Sequence, residues 1–272
     1  WAACGSQGRR EQTGVSDQDN CLILSDAYDE AAHGEWFEAL ARRVCDGLND
    51  AGYVFCPGDM MATNPRWRQP LAVWRGYFRK WIAQPTEEAQ MLASVMFDLR
   101  AISGETALFS GLQEETLAAA KKNSIFRAHM AKNALKHRPP LSLFGGMATI
   151  GSGEHKNRID MKHSGTVPIV DLGRLYALMG EFTEANTRDR LIAARDAKLV
   201  SPSGANDLID AFDLIAEMRL EHQARLIRAG EKPDNFMAPA MLSELERGHL
   251  KDAFAVVKTM QASAANSYAM GG

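Results

Sequence analysis

The sequence contains 272 residues, 46% of them hydrophobic, and carries a formal net charge of −3 at pH 7. This length and apolar content suffice for two packed domains, and the weak negative charge argues against nonspecific nucleic-acid binding. No apolar run approaches the roughly 20 residues that a membrane-spanning helix needs, and no basic-then-apolar leader opens the chain, so we expect a soluble cytoplasmic protein.

The cysteines are Cys4, Cys21, Cys45 and Cys56. They form no Cys-x-x-Cys pair, and they are too few for the disulfide scaffold of a small secreted protein. We therefore expect reduced thiols in apolar cores and no metal site built from cysteine.

The chain opens with a glycine-bearing loop between two predicted strands, residues 1–6 and 17–24. Gly5 and Gly8 allow the backbone to approach a bulky anion, and amide groups in such a loop form a concavity for phosphate. The candidate phosphate-binding residues are Gly5, Ser6, Gly8, Arg9 and Arg10. Of the two arginines we favour Arg9.

Two carboxylates begin the second of these strands. Because strand side chains alternate between faces, Asp17 and Asp19 point to one side and Gln18 to the other. Two like charges this close repel each other unless a cation lies between them, and carboxylate oxygens favour Mg²⁺ or Mn²⁺. The pair therefore predicts a divalent metal site with Asp17 and Asp19 as ligands.

The next predicted elements are a helix over residues 35–51, a strand over 53–56, a polar loop over 59–70 and a helix over 71–82. Aromatic residues recur at helical spacing in the last of these, which favours core packing over base stacking by Trp67 or Trp74. Arg66 and Arg68 flank Trp67 in the polar loop, so they are candidates for substrate contacts.

A single carboxylate, Asp98, interrupts the apolar run 94–102, which we predict to be a strand. A buried carboxylate is costly unless it is paired. The residues alone favour an ion pair with a nearby arginine, for example Arg100. The alternative is a metal ligand that the fold brings beside Asp17 and Asp19.

The second half of the chain is predicted to be mainly helical, beginning with a helix from about residue 113 to 137. We place the domain boundary near Gly111, which gives domains 1–111 and 112–272. Pro139 and Pro140 end the helix, because proline cannot continue one.

Strands at residues 141–149 and 158–162 are expected to form a β-hairpin with a glycine-rich tip. Alternation along the second strand sets Lys156, Arg158 and Lys162 on one face, as a cationic arm for a substrate. A solvated, charged hairpin without a binding role is the alternative.

Further helices are expected at residues 169–179, 185–197, 205–229 and 239–266. Their apolar stripes favour an antiparallel bundle. Ser201, and Ser243 with Glu246, have the spacing of helix-start signals.

The opening strings Gly5-Ser-Gln-Gly-Arg-Arg-Glu-Gln-Thr and Ser16-Asp-Gln-Asp-Asn resemble the nucleotide-binding signature of the DNA polymerase beta-like nucleotidyltransferase superfamily. They are closer to one branch of it, the bacterial signal-transduction nucleotidyltransferases related to PII-uridylyltransferase. Proteins of that branch are often fused to cyclic-nucleotide-binding and CBS domains. The resemblance extends over nearly the whole chain.

That resemblance implies an α+β fold, in which a small mixed β-sheet domain with flanking helices precedes a helical substrate-binding bundle with a β-hairpin. It implies transfer of a nucleoside monophosphate from an Mg²⁺-bound NTP to a hydroxyl group of a protein or small-molecule acceptor in bacterial signalling. Asp98 then becomes the third carboxylate of the metal site.

The alternative function is a noncatalytic module that senses a nucleotide for regulatory domains upstream. The chain starts at Trp1, apparently inside a strand and without a methionine. This start indicates a piece of a longer polypeptide, as the resemblance also implies.

Overall fold

The computed structural model describes residues 1–142 and 146–269, with side chains described up to residue 266. The chain divides into two compact units. The first comprises Trp1–Phe126 and Thr183–Asn186, and the second comprises Arg127–Phe182 and Thr187–Gly272. None of the helices in the described ranges is long and apolar enough to cross a membrane.

The first unit is a small mixed sheet with helices around it. Its elements are β1 (Ala2–Ala3), α1 (Gly5–Gly8), β2 (Asp17–Gln18), β3 (Asn20–Leu24), α2 (Glu30–Asp50), β4 (Val54–Phe55), β5 (Arg68–Pro70), α3 (Leu71–Ala83), α4 (Glu87–Met96), β6 (Arg100–Ala101) and α5 (Ala107–Lys122). Four strands form one sheet in the order β5-β3-β1-β6, with β3 and β5 parallel and β1 antiparallel to both of its neighbours. A separate parallel pair joins β2 to β4. Gly111, near which we expected the domain boundary, lies inside α5, and the first unit continues to Phe126.

The helices predicted over 35–51 and 71–82 are confirmed, whereas the single helix predicted from about 113 to 137 is two helices, α5 and Ser124–Ala134, divided at Asn123. The helix α2 begins at Glu30, where the Asp29 side chain caps it by accepting from the Ala32 amide. The aromatic stripe of α3 is core: the Trp74 ring is completely buried, and its Nε1 donates to the Leu22 carbonyl at 3.0 Å. Trp67 is also buried and packs against Trp74. Neither ring has a face open for base stacking.

Three local predictions in the first unit are wrong. The loop expected after residue 6 contains one helical turn, α1, and the strand expected over 17–24 is divided at Asp19 into β2 and β3. The strand expected over 94–102 is instead the last residues of helix α4, a turn and the short strand β6, and Asp98 lies in that turn. The helix forms because Thr86 caps its first turn and because its apolar residues at a spacing of three to four bury one face.

The second unit is mainly helical. Its elements are the end of α6 (Ser124–Ala134), β7 (Ile159–Asp160), a π-helical segment (Met161–Thr166), α7 (Val167–Gly180), α8 (Thr187–Asp196), α9 (Pro202–Arg228), β8 (Phe236–Met237) and α10 (Glu244–Ala269). The helices α9 and α10 pack antiparallel, since Gly204 near the start of α9 faces Met260 late in α10. The predicted helix-start signals are confirmed: Ser201 accepts from the Gly204 amide, and Ser243 and Glu246 exchange the two hydrogen bonds of a capping box.

The predicted β-hairpin of the second unit is wrong. The strand β7 pairs antiparallel with β8, about 75 residues later in the chain, rather than with residues 141–149. Part of that expected partner, residues 143–145, lies outside the described residues. The strand ends at Asp160, whose carboxylate accepts from the amides of Lys162 and His163 and starts the π-helical segment.

Candidate functional site

Two carboxylates and a thiol meet where the parallel pair β2–β4 ends. Asp17 pairs with Val54 and Gln18 with Phe55, so the next residues on the two strands, Asp19 and Cys56, leave the pair side by side. Ligand atoms of Asp17, Asp19 and Cys56 all lie within 4.8 Å of one another, and all three residues are half-buried. Two carboxylates with one sulfur form a donor set for a small divalent cation. The sequence alone does not indicate Cys56 as part of this group, because the pairing that places it joins distant parts of the chain.

The residues that alternate with the two carboxylates face the interior. Gln18 and Asn20 are fully buried, and the Asn20 amide nitrogen donates to the Gln18 side-chain oxygen. Gln18 donates to the carbonyls of Cys45 and Tyr53, and Asn20 accepts from the Ala62 amide at 2.9 Å. The opposed directions of the aspartates and Gln18 thus follow the predicted alternation. The buried amides fix the backbone that carries the two carboxylates.

The glycines of the opening turn make room for protein groups. A Cβ atom on Gly5 would lie 2.5 Å from the Asp19 Oδ2, and one on Gly8 would lie 2.0 Å from the Asp98 carbonyl oxygen. Gly5 also has a φ of +55°, which favours glycine. Gly5 therefore packs against Asp19, and Gly8 packs against Asp98. Contact of these glycines with a phosphate stays a prediction.

Asp98 is fully buried and bound to Arg9. The Arg9 Nη1 donates to the Asp98 Oδ2 at 2.5 Å, and its Nε donates to the Glu11 Oε2 at 2.7 Å. Asp98 is therefore in an ion pair, as the residues alone favour, but its partner is Arg9 and not Arg100. Within residues 1–142 and 146–269, Asp98 is not part of the group formed by Asp17, Asp19 and Cys56. Its role as a metal ligand stays a prediction.

Arg100 also stabilises the opening turn, by hydrogen bonds to the backbone of α1. Its guanidinium donates to the carbonyl oxygens of Gly8 at 2.8 Å and Gln7 at 3.1 Å. Burial, and then the nearby charge of Arg10, lowers the pKa of Arg100. Arg100 therefore satisfies the last carbonyls of α1, a role that the sequence did not reveal.

The two arginines of the polar loop have different surroundings. Arg68 is buried, and its guanidinium donates to the carbonyls of Ala62 and Thr63, so it holds the loop in place. Arg66 is exposed, and its guanidinium lies over the Trp67 ring at 4.7 Å from the ring centre. Substrate contact by either residue stays a prediction, and the position of Arg66 suits it better.

The three basic candidates of the second unit do not share a strand. Lys156 lies in an exposed turn, Arg158 precedes β7, and Lys162 lies in the π-helical segment. The Arg158 guanidinium lies 3.5 Å from the Asp234 carboxylate. The alternation that we expected to align these residues ends at Asp160, because the strand ends there.

Replacing Gly8 with alanine is expected to destabilise the first unit by about 3 kcal/mol, because the carbonyls that its Cβ would meet belong to the backbone and cannot move aside. The matched control is Gly47→Ala in α2, where a Cβ meets nothing within 4 Å and should stabilise by about 0.5–1 kcal/mol. All five tryptophans of the chain lie in the first unit, so urea unfolding followed by tryptophan fluorescence reports on it. Equal free energies of unfolding for Gly8→Ala and Gly47→Ala would contradict the close packing of Gly8 against the Asp98 carbonyl.

Two family models match the chain. Residues 1–88 match the family described as "Putative nucleotidyltransferase DUF294", and residues 124–268 match the one described as "Putative nucleotidyltransferase substrate binding domain". The first match includes Asp17, Asp19 and Cys56, whereas Asp98 lies between the two matched segments. A search of curated proteins finds no match.

Proposed function

The chain belongs to the nucleotidyltransferase family whose members carry a C-terminal substrate-binding domain, and from this premise we propose that it transfers a nucleoside monophosphate from an NTP to an acceptor hydroxyl group. The observation that supports this reaction most directly is the meeting of Asp17 and Asp19 beside the opening turn. Two carboxylates at the end of the parallel pair β2–β4 can hold a divalent cation against a triphosphate.

The donor set fits such a cation. The ligand atoms of Asp17 and Asp19 lie within 4.8 Å of each other, and the Asp19 carboxylate packs against Gly5. Mg²⁺ or Mn²⁺ suits the two carboxylates. When bound, the cation supplies charge neutralisation at the phosphate oxygens and polarises the phosphorus centre. The protein contributes the fixed geometry, which the buried amides of Gln18 and Asn20 maintain.

The opening turn provides the groups for the triphosphate. Ser6 and the backbone of Gly5 and Gly8 line the turn, and Arg9 and Arg10 follow it directly. The buried Gln12 Nε2 is a hydrogen-bond donor without a partner among the described atoms, which fits a ligand oxygen nearby. A guanidinium has five N–H donors, so Arg9 would bind a phosphate oxygen while its Nη1 and Nε keep their hydrogen bonds to Asp98 and Glu11.

The acceptor is a hydroxyl group of a protein or of a small molecule. Asp98 would accept its proton or complete the metal site, and Arg66, Arg68, Lys156, Arg158 and Lys162 are the candidate contacts to the substrate. The description of the second matched family, a substrate-binding domain, supports an acceptor role for residues 124–268.

One observation favours a second candidate, a noncatalytic nucleotide sensor. The Asp98 carboxylate is held by Arg9 and lies outside the group of metal-ligand atoms, so two carboxylates rather than three meet there among residues 1–142 and 146–269. Two carboxylates suffice to bind a cation with a nucleotide. A sensor would then pass occupancy to regulatory domains upstream in a longer chain.

The test is incubation of the protein with each of the four NTPs, labelled at the α-phosphate, together with Mg²⁺ and a fractionated cell extract. Transfer of label to an acceptor, with release of pyrophosphate, is the expected result. Tight Mg²⁺-dependent binding of an NTP without pyrophosphate release in any fraction would favour the sensor. Absence of both binding and transfer would exclude both candidates.

A further inference from the structure

Cys56 differs from the other cysteines in position and in surroundings. Cys4, Cys21 and Cys45 are completely buried, whereas Cys56 is partly exposed at the end of β4. Its sulfur belongs to the same compact group of ligand atoms as the carboxylates of Asp17 and Asp19. A cation that reaches the two carboxylates can therefore also reach this thiol.

The thiol is directed at one of the carboxylates. Burial and the hydrogen bond to Asp19 raise the pKa of Cys56 to about 12. The thiol donates a hydrogen bond to the Asp19 carboxylate. This hydrogen bond and the short distances within the group of ligand atoms place the sulfur beside both carboxylates.

Backbone geometry keeps this arrangement in place. The register of β2 with β4 brings Cys56 beside Asp19, and the Asp59 amide donates to the Cys56 carbonyl in a tight turn. The Asn64 side chain donates to Asp59, and the Asn20 amide donates to the Met60 carbonyl, so both ends of the turn are fixed. The backbone that carries the Cys56 sulfur is therefore held by the strand pairing and by the hydrogen bonds of the turn.

The donor set decides which cation is preferred. Oxygen ligands alone suit Mg²⁺, but a sulfur ligand favours borderline and soft cations such as Zn²⁺, Co²⁺ and Cd²⁺. Zinc in proteins is commonly four-coordinate, with cysteine sulfur, histidine nitrogen and carboxylate oxygen as ligands. Two carboxylates and one thiolate leave a coordination position for water.

We propose that Asp17, Asp19 and Cys56 form a binding site for a thiophilic divalent cation of the zinc type, which competes with the Mg²⁺-bound nucleotide for the same two carboxylates. On binding, the S–H bond breaks, the proton leaves to solvent, and sulfur donates its electron pair to the cation; no electron transfer is involved. The cation site itself needs only the three side chains. The competition rests on the proposed function.

The test uses Co²⁺ in place of Zn²⁺, because a thiolate bound to Co²⁺ gives a charge-transfer absorption band in the near ultraviolet. The whole protein, Cys56→Ser and Cys45→Ser are titrated with Co²⁺ under a reductant that does not bind metals. Cys45→Ser is the matched control, since a serine there can keep the hydrogen bond to the Asn20 side-chain oxygen. Circular dichroism verifies that each variant is folded.

The expected result is a band that saturates with one Co²⁺ in the wild type and in Cys45→Ser and is absent in Cys56→Ser. Co²⁺ affinity should fall at least about 10-fold in Cys56→Ser, as loss of even an outer-shell partner of a metal costs about 10–100-fold. Zn²⁺ should inhibit Mg²⁺-dependent nucleotide binding in the wild type far more than in Cys56→Ser. A band that persists in Cys56→Ser, or Co²⁺ binding without a band in the wild type, would overturn the proposal.

The outcomes separate this inference from the proposed function. The Co²⁺ band and affinity do not depend on turnover, so a protein that transfers no nucleotide can still show the site. If Mg²⁺-dependent transfer occurs and no Co²⁺ band appears, only the role of Cys56 is refuted.

Discussion

Changing Asp17 and Asp19 together to asparagine is expected to lower nucleotidyl transfer by about 10³-fold or more while the protein stays folded. A bound cation stabilises transition-state charge by several kcal/mol, and about 4 kcal/mol corresponds to about 10³ in rate. Both side chains are half-buried rather than in the core, and asparagine has nearly the same shape as aspartate and keeps one side-chain oxygen, so the protein should stay folded. Label transfer from the preferred NTP measures the effect.

The matched control is the double change Asp46→Asn and Asp50→Asn, which removes two negative charges from an exposed part of α2. It should leave the transfer rate within about 2-fold, since surface changes away from a site have small effects. Transfer that survives the change of Asp17 and Asp19 would remove these residues from the mechanism.

Asp98→Asn is expected to lower the free energy of unfolding of the first unit by about 3 kcal/mol. Asp98 is completely buried and its partner Arg9 nearly so, and removing one member of a buried ion pair leaves an uncompensated charge that costs about 3–5 kcal/mol. Asparagine keeps one hydrogen-bonding oxygen and Glu11 remains on Arg9, which places the expected loss at the lower end. Urea unfolding followed by tryptophan fluorescence measures it.

A double-mutant cycle with Arg9→Gln separates the ion pair from other effects of the substitution. In the Arg9→Gln background, Asp98→Asn should cost about 2 kcal/mol less than in the wild type, because contacting charges show coupling of this order. Additive effects would mean that the ion pair contributes nothing. A stable Asp98→Asn protein without transfer activity would restore a role for Asp98 in the metal site.

Much of the first unit could be predicted because its signals are local. Helical spacing of apolar residues predicted α2 and α3, and alternation predicted that Asp17 and Asp19 share a side. The opening motif also indicated Arg9 as a functional candidate. Capping signals at Ser201 and Ser243 predicted helix starts in the second unit because a cap is made within one turn.

What could not be predicted depends on contacts between distant parts of the chain. The short apolar run before Asp98 fits a strand or a helix equally, and tertiary packing selected the helix α4. The partner of β7 is β8, for which the sequence gives no register signal. Cys56 reaches the carboxylates only through the pairing of β2 with β4. A glycine is needed at position 8 because the Asp98 carbonyl, distant in sequence, lies against it.

The central claim is that Asp17 and Asp19 hold a divalent cation together with a nucleoside triphosphate. Isothermal titration of nonhydrolysable NTP analogues into the wild type, with Mg²⁺ and then with a chelator, tests it most directly when repeated on the protein with Asp17→Asn and Asp19→Asn. We predict binding that weakens by about 100-fold, or about 2.7 kcal/mol, both on removal of Mg²⁺ and on the double change. Binding of equal strength in all three titrations, or no binding by the wild type with Mg²⁺, would contradict the account.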